Sequence, residues 1–217
     1  METPEEAEEV ADGVDSCNKV GVVQGLKQAE AEKALGNQDL KRKQRTDAIK
    51  HYSEAVECLH DAWSQKPTDN QTKEIKNLMS VCLANRAAAW LMEGEGQDAK
   101  KALKDAEEAI EREPSYNKAY YRAAKAHQLL SENTRAIQII VSGLTRKDLE
   151  NNSGLIDGLI EIYGGIPDTE NELRDFCTKV FKNPTTGNEV KKLAGFCTRV
   201  SKKIHTVIGP DETIDSI

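Results

Sequence analysis

The chain has 217 residues, of which 5% are aromatic and 31% charged, and its net charge is −7. That length allows one or two domains with a real core, and few aromatics among many charges suit helices with narrow apolar stripes better than a β-sandwich. The acidic balance excludes generic nucleic-acid binding by the chain as a whole.

The first ten residues, METPEEAEEV, have neither the basic start nor the apolar stretch of a secretory signal. No run approaches the ~18 apolar residues of a membrane span. The five cysteines (17, 58, 82, 177, 197) form no C-x-x-C pair. They read as small hydrophobes in a reducing compartment, so the expected location is the cytoplasm or nucleus. The sequons at Asn70 and Asn151 would then stay unmodified.

In chain order, Glu2, Glu5, Glu6, Glu8, Glu9, Asp12 and Asp15 stand without a Lys or Arg among them. Residues 1–24 are accordingly expected to be an acidic, disordered tail. From 25 to 149 the chain repeats itself. Three segments align: Ala48-x-x-x-Tyr52-x-x-Ala55, Ala102-x-x-x-Ala106-x-x-Ala109 and Ala136-x-x-x-Ile140-x-x-Gly143. Small residues at this spacing let two helices cross closely. A first helix precedes each segment, marked by Leu35-Gly36, Arg86-Ala87 and Ala123-Ala124.

The second and third copies are 34 residues apart, and the first and second are 54 apart. The excess is assigned to a second helix running through Trp63, a polar bend at 68–77 and a lengthened turn around 93–96. Pro114 separates the last two copies, as a helix stop should.

Residues 150–208 keep helical periodicity without the repeat. Apolar faces are expected from Leu155, Ile156, Leu159, Ile160 and Tyr163; from Leu173, Phe176, Cys177, Val180 and Phe181; and from Val190, Leu193, Phe196, Cys197, Val200 and Ile204. These helices would cap the open end of the stack. The last puts Lys192, Arg199, Lys202 and Lys203 on its polar side, and 209–217 is expected to be a flexible tail.

A 34-residue period with helix–turn–helix units is the mark of the tetratricopeptide repeat (TPR). The expected fold is all-α: a TPR solenoid of three repeats followed by C-terminal capping helices. Two positions depart from the pattern, Glu32 where a TPR usually has Trp and Asp39 where it usually has Tyr.

The strings KALGN, ANRAAAW and NKAYYRAAK sharpen the resemblance. In them the chain resembles the TPR co-chaperones that bind the C-terminal EEVD tails of heat-shock proteins 70 and 90 through a two-carboxylate clamp. The resemblance covers about residues 26–148. It implies that Lys33 and Asn37, Asn85, and Lys118 and Arg122 are the peptide-binding residues, with Ala88 and Ala89 as possible groove lining. Their chemistry agrees. The final Asp of such a tail offers two carboxylates, Lys supplies a compact ammonium, Arg a rigid fork of donors, and Asn an amide that both donates and accepts.

The implied function is tethering of heat-shock protein 90 or 70 to a client or complex, with a second protein partner possible at the C-terminal helices. Rival readings are a scaffold for another acidic C-terminus, and a nucleic-acid or ribosome-associated factor acting through the basic last helix. Residues 8–15 (EEVADGVD) echo the ligand but lack its free terminus. No phosphate-loop, zinc-protease or serine-hydrolase motif occurs, and the four His have no metal spacing with Cys. Enzymatic activity, a cofactor and a metal are therefore not expected. Neither is a membrane partner.

Overall fold

The structure is a computed structural model. It describes the backbone of residues 4–144, 146, 148 and 153–163 and, from residue 21 on, most of their side chains. Every regular element among them is a helix: α1 (Pro4–Lys41), α2 (Arg45–Ser64), α3 (Asp69–Trp90), α4 (Ala99–Arg112), α5 (Asn117–Leu129), α6 (Asn133–Leu144) and α7 (Ser153–Tyr163). None is long and apolar enough to cross a membrane. The chain divides into two compact units, Met1–Glu113 and Pro114–Ile217.

In the first unit α1 packs on α2, α3 on α4, and α3 also on α2 and α1. The small residues of the repeat lie at these crossings. Ala48, Tyr52, Ala55, Ala102, Ala106 and Ala109 are fully buried. A Cβ on Gly36 would come within 2.7 Å of the Tyr52 ring, so glycine there lets α1 reach α2. Leu59, Ile75, Met79 and Leu83 fill the space between the helices, each worth ~1.5–3 kcal/mol when fully buried.

Polar contacts fix the packing. Arg86 on α3 donates through Nε and Nη2 to both carboxylate oxygens of Asp105 on α4, at 2.8 and 2.7 Å, and through Nη1 to Ser53 Oγ on α2 at 3.0 Å. Burial opposes the Arg86 charge, but the hydrogen bonds and charge of Asp105 overcome it and hold the guanidinium above its usual pKa. Ser80 Oγ, also buried, donates to the Ala109 carbonyl at 2.9 Å.

In the second unit α5, α6 and α7 pack on one another. Ala136 and Ile140 are fully buried, and a Cβ on Gly143 would meet the Tyr120 ring at 2.9 Å. Leu155 and Leu159 of α7 are buried as expected, and Ile162 joins them. His127 is a packed core histidine whose Nδ1 lies 2.7 Å from Glu132 Oε2.

One local expectation is corrected. The stretch 68–77 is the start of α3, not a bend. Thr68 and Gln71 form a capping box: the Gln71 amide donates to Thr68 Oγ1 at 3.4 Å, and the Thr68 amide to Gln71 Oε1 at 3.0 Å. This satisfies two donors that a helix start leaves open. The helix α1 starts at Pro4, within residues 1–24; Pro suits a first helical position, and acidic residues favour a helix N-terminus.

The lengthened turn after α3 is present. It turns on Gly94 and Gly96, with φ of 104° and 84°, and Arg45 Nη2 donates to the carbonyls of Met92 and Glu93 to hold it. The apolar faces drawn over 173–181 and 190–204, the basic positions 192–203 and the tail 209–217 lie outside the described residues.

Candidate functional site

Three of the five residues expected to form a clamp belong to the first unit. Lys33 and Asn37 lie one turn apart on α1, which puts them on one face. Asn85 of α3 meets that face: its Nδ2 donates to Asn37 Oδ1 at 3.0 Å. The same oxygen accepts from the Tyr52 hydroxyl of α2 at 2.8 Å. One carboxamide oxygen thus joins three helices. With its oxygen doubly engaged, Asn37 keeps both Nδ2 hydrogens unused among the described residues. Among the described residues Lys33 Nζ pairs only with Glu30, one turn back on the same helix at 3.8 Å, a loose pair that leaves the ammonium available.

Lys118 and Arg122 lie one turn apart on α5 in the second unit. Lys118 is exposed. Arg122 is half-buried, and burial pushes its guanidinium below its usual pKa. The groups acting against that shift are the phenols of Tyr121 and Tyr116; no carboxylate is among them. The guanidinium carbon lies 5.5 Å from the centre of the Tyr121 ring. Arg86, by contrast, carries a bidentate carboxylate. Arg122 therefore stands as a desolvated cation whose fork is unfilled among the described residues.

The two alanines divide. Ala88 is partly exposed. Ala89 is not groove lining: it is fully buried against Ala48 and Tyr52, because its side of α3 faces α2. Tyr52 is the residue that sequence reasoning placed only in the core. Its position at a helix crossing signalled packing, and its hydroxyl contact with Asn37 needed the fold to appear.

No family model matches the chain. The chain is 31% identical over 133 residues to the Hsp70-Hsp90 organizing protein of Triticum aestivum, covering 61% of this chain and 19% of that protein. It is 35% identical over 112 residues to the DnaJ homolog subfamily C member 7 homolog of Dictyostelium discoideum, covering 52% of this chain and 18% of that protein. The match thus spans about a fifth of each relative's own length. Among solved structures, the Arabidopsis OM64 TPR domain superposes with a TM-score of 0.49 at 22% identity, over 65% of this chain and 99% of that domain.

Proposed function

We propose that this chain, which is similar over part of its length to the Hsp70-Hsp90 organizing protein, is a binding adaptor for an acidic C-terminal peptide, the EEVD tail of heat-shock protein 90 or 70. Lys33, Asn37 and Asn85 of the first unit and Lys118 and Arg122 of the second supply the donors. The chaperone tail is held at equilibrium while another surface engages a client or complex. No bond is made or broken in the ligand, and the setting is the cytoplasm or nucleus, where such tails occur.

The observation that carries this reading is Arg122. A partly desolvated guanidinium that meets no carboxylate among the described residues raises the free energy of the free protein, and a carboxylate ligand would supply what it lacks. Asn37 supports it, since its amide orientation is fixed in advance by Tyr52 and Asn85. Preorganised donors lose less entropy when the ligand arrives. With each charge-assisted bond worth ~1.5–3 kcal/mol and the ordering of a floppy tail opposing them, an affinity near micromolar, about −8 kcal/mol, is expected.

The test is calorimetric titration with a ten-residue peptide ending in EEVD, with a free or an amidated C-terminus. Micromolar binding should disappear on amidation and in Lys118→Ala/Arg122→Ala. Equal binding of both peptides, or an unaffected double variant, would refute the clamp.

A further inference from the structure

The two positions that break the repeat pattern, Glu32 and Asp39, come together around one histidine. His51 of α2 faces α1, and its Nδ1 lies 2.7 Å from Glu32 Oε2. Its Nε2 lies 3.5 Å from Asp39 Oδ2. Glu54, one turn along α2, brings Oε2 to 3.5 Å from Nδ1. One ligand atom each from Glu32, His51 and Glu54 all lie within 4.8 Å of one another, and all three residues are half-buried. Two cations flank the group: Lys50 Nζ lies 3.8 Å from the other oxygen of Glu54, and Arg42 Nη1 lies 3.9 Å from the other oxygen of Asp39.

Carboxylate oxygens thus lie on both sides of the imidazole. A neutral imidazole has a single N–H. With carboxylates at both ring nitrogens, one nitrogen lone pair must face carboxylate oxygen unless a second proton or a metal ion lies between. Two carboxylates crowd Nδ1, whereas Asp39 alone meets Nε2. That asymmetry suits a metal-ligating histidine, in which one nitrogen takes the ion and the other faces a carboxylate that can orient the ring; Asp39 stands 3.5 Å from Nε2, close enough to take up that hydrogen bond with a small shift.

We propose that Glu32, His51 Nδ1 and Glu54 form a zinc-type divalent metal site joining α1 to α2, with Asp39 as the positioning residue for the imidazole. A mixed nitrogen and oxygen donor set suits zinc better than magnesium or calcium, which favour all-oxygen shells. Ligands of one tetrahedral zinc stand roughly 3.3 Å apart, given bonds of ~2.0–2.2 Å. The Nδ1–Glu54 spacing already fits, and the Nδ1–Glu32 hydrogen bond needs to open by about half an ångström, which a Glu side chain can do. Water would complete the shell. Any proton on Nδ1 leaves as the metal enters, so binding releases it to buffer.

The experiment is calorimetric titration of the chelator-treated full chain with Zn²⁺, run beside Mg²⁺ and repeated in buffers of different ionisation heat. Expected are one zinc per chain, little response to Mg²⁺ and a raised melting temperature. His51→Gln should abolish that binding, and Asp39→Asn should weaken it by about 10- to 100-fold, as loss of a ligand-orienting partner does. Glu54→Gln removes one ligand yet keeps the His51–Glu32 contact, so it serves if His51→Gln fails to fold by circular dichroism. Absence of zinc binding, or binding unchanged in Glu54→Gln and His51→Gln, would overturn the site. An imidazole found doubly protonated by NMR in a chain that ignores zinc would show that a proton alone fills the gap. The peptide titration is independent of this result.

Discussion

Arg122 and Arg86 show what one residue type does in two surroundings. Arg86 has a bidentate carboxylate and a hydroxyl, and Asp105 beside it is buried. Removing one partner of such a pair strands the other's charge, so Asp105→Ala should destabilise the chain by about 3–5 kcal/mol in urea denaturation. Arg122 is partly desolvated with no carboxylate on it among the described residues, and burial lowers its pKa. The sign follows: a base with a folded pKa below its unfolded one costs folding free energy while it is charged, a cost present at neutral pH and relieved only near its own titration. Arg122→Met should therefore leave the melting temperature unchanged or raised while peptide binding is lost. A melting temperature lowered by several degrees would make Arg122 a structural residue.

At the scale of single elements, what the sequence disclosed depended on how far apart the cooperating residues lie. Ala48, Ala102 and Ala136 were legible because helix crossing demands small side chains at a fixed spacing, and all three are fully buried. The glycine turn after α3 was legible for a similar reason, since Gly94 and Gly96 take positive φ values. The start of α3 was misread. The polar run TDNQTKEIKN resembled a bend, although Thr68-x-x-Gln71 is a capping signature. Thr68→Ala should thus cost about 1 kcal/mol in denaturant unfolding and fray the first turn of α3; no measurable change would mean that packing alone fixes the start.

Contacts between helices stayed hidden. Asn85 and Asn37 are 48 residues apart and Glu32 and His51 are 19 apart, and no periodicity in one dimension links them. The same holds for Ala89, which differs from Ala88 only in the side of α3 that it occupies.

For the whole molecule, a net charge of −7 repels an acidic tail at long range. The cations proposed to hold it must act locally, and exposed charges such as Lys118 are screened within ~10 Å at 0.1 M salt. Peptide affinity is expected to fall steadily between 50 mM and 500 mM NaCl in calorimetry; a salt-independent affinity would point to an apolar binding mode.

Cys82 sits on α3, fully buried, and burial pushes its thiol pKa up to about 12. Only thiolate attacks an alkylating reagent, so in the closed fold this sulfur is shielded twice, by access and by protonation. Its modification, followed by mass spectrometry of the peptide that carries it, then acts as a clock for the breathing of the first unit. Anything that clamps those helices together, a bound tail or an ion, should make that clock run slow.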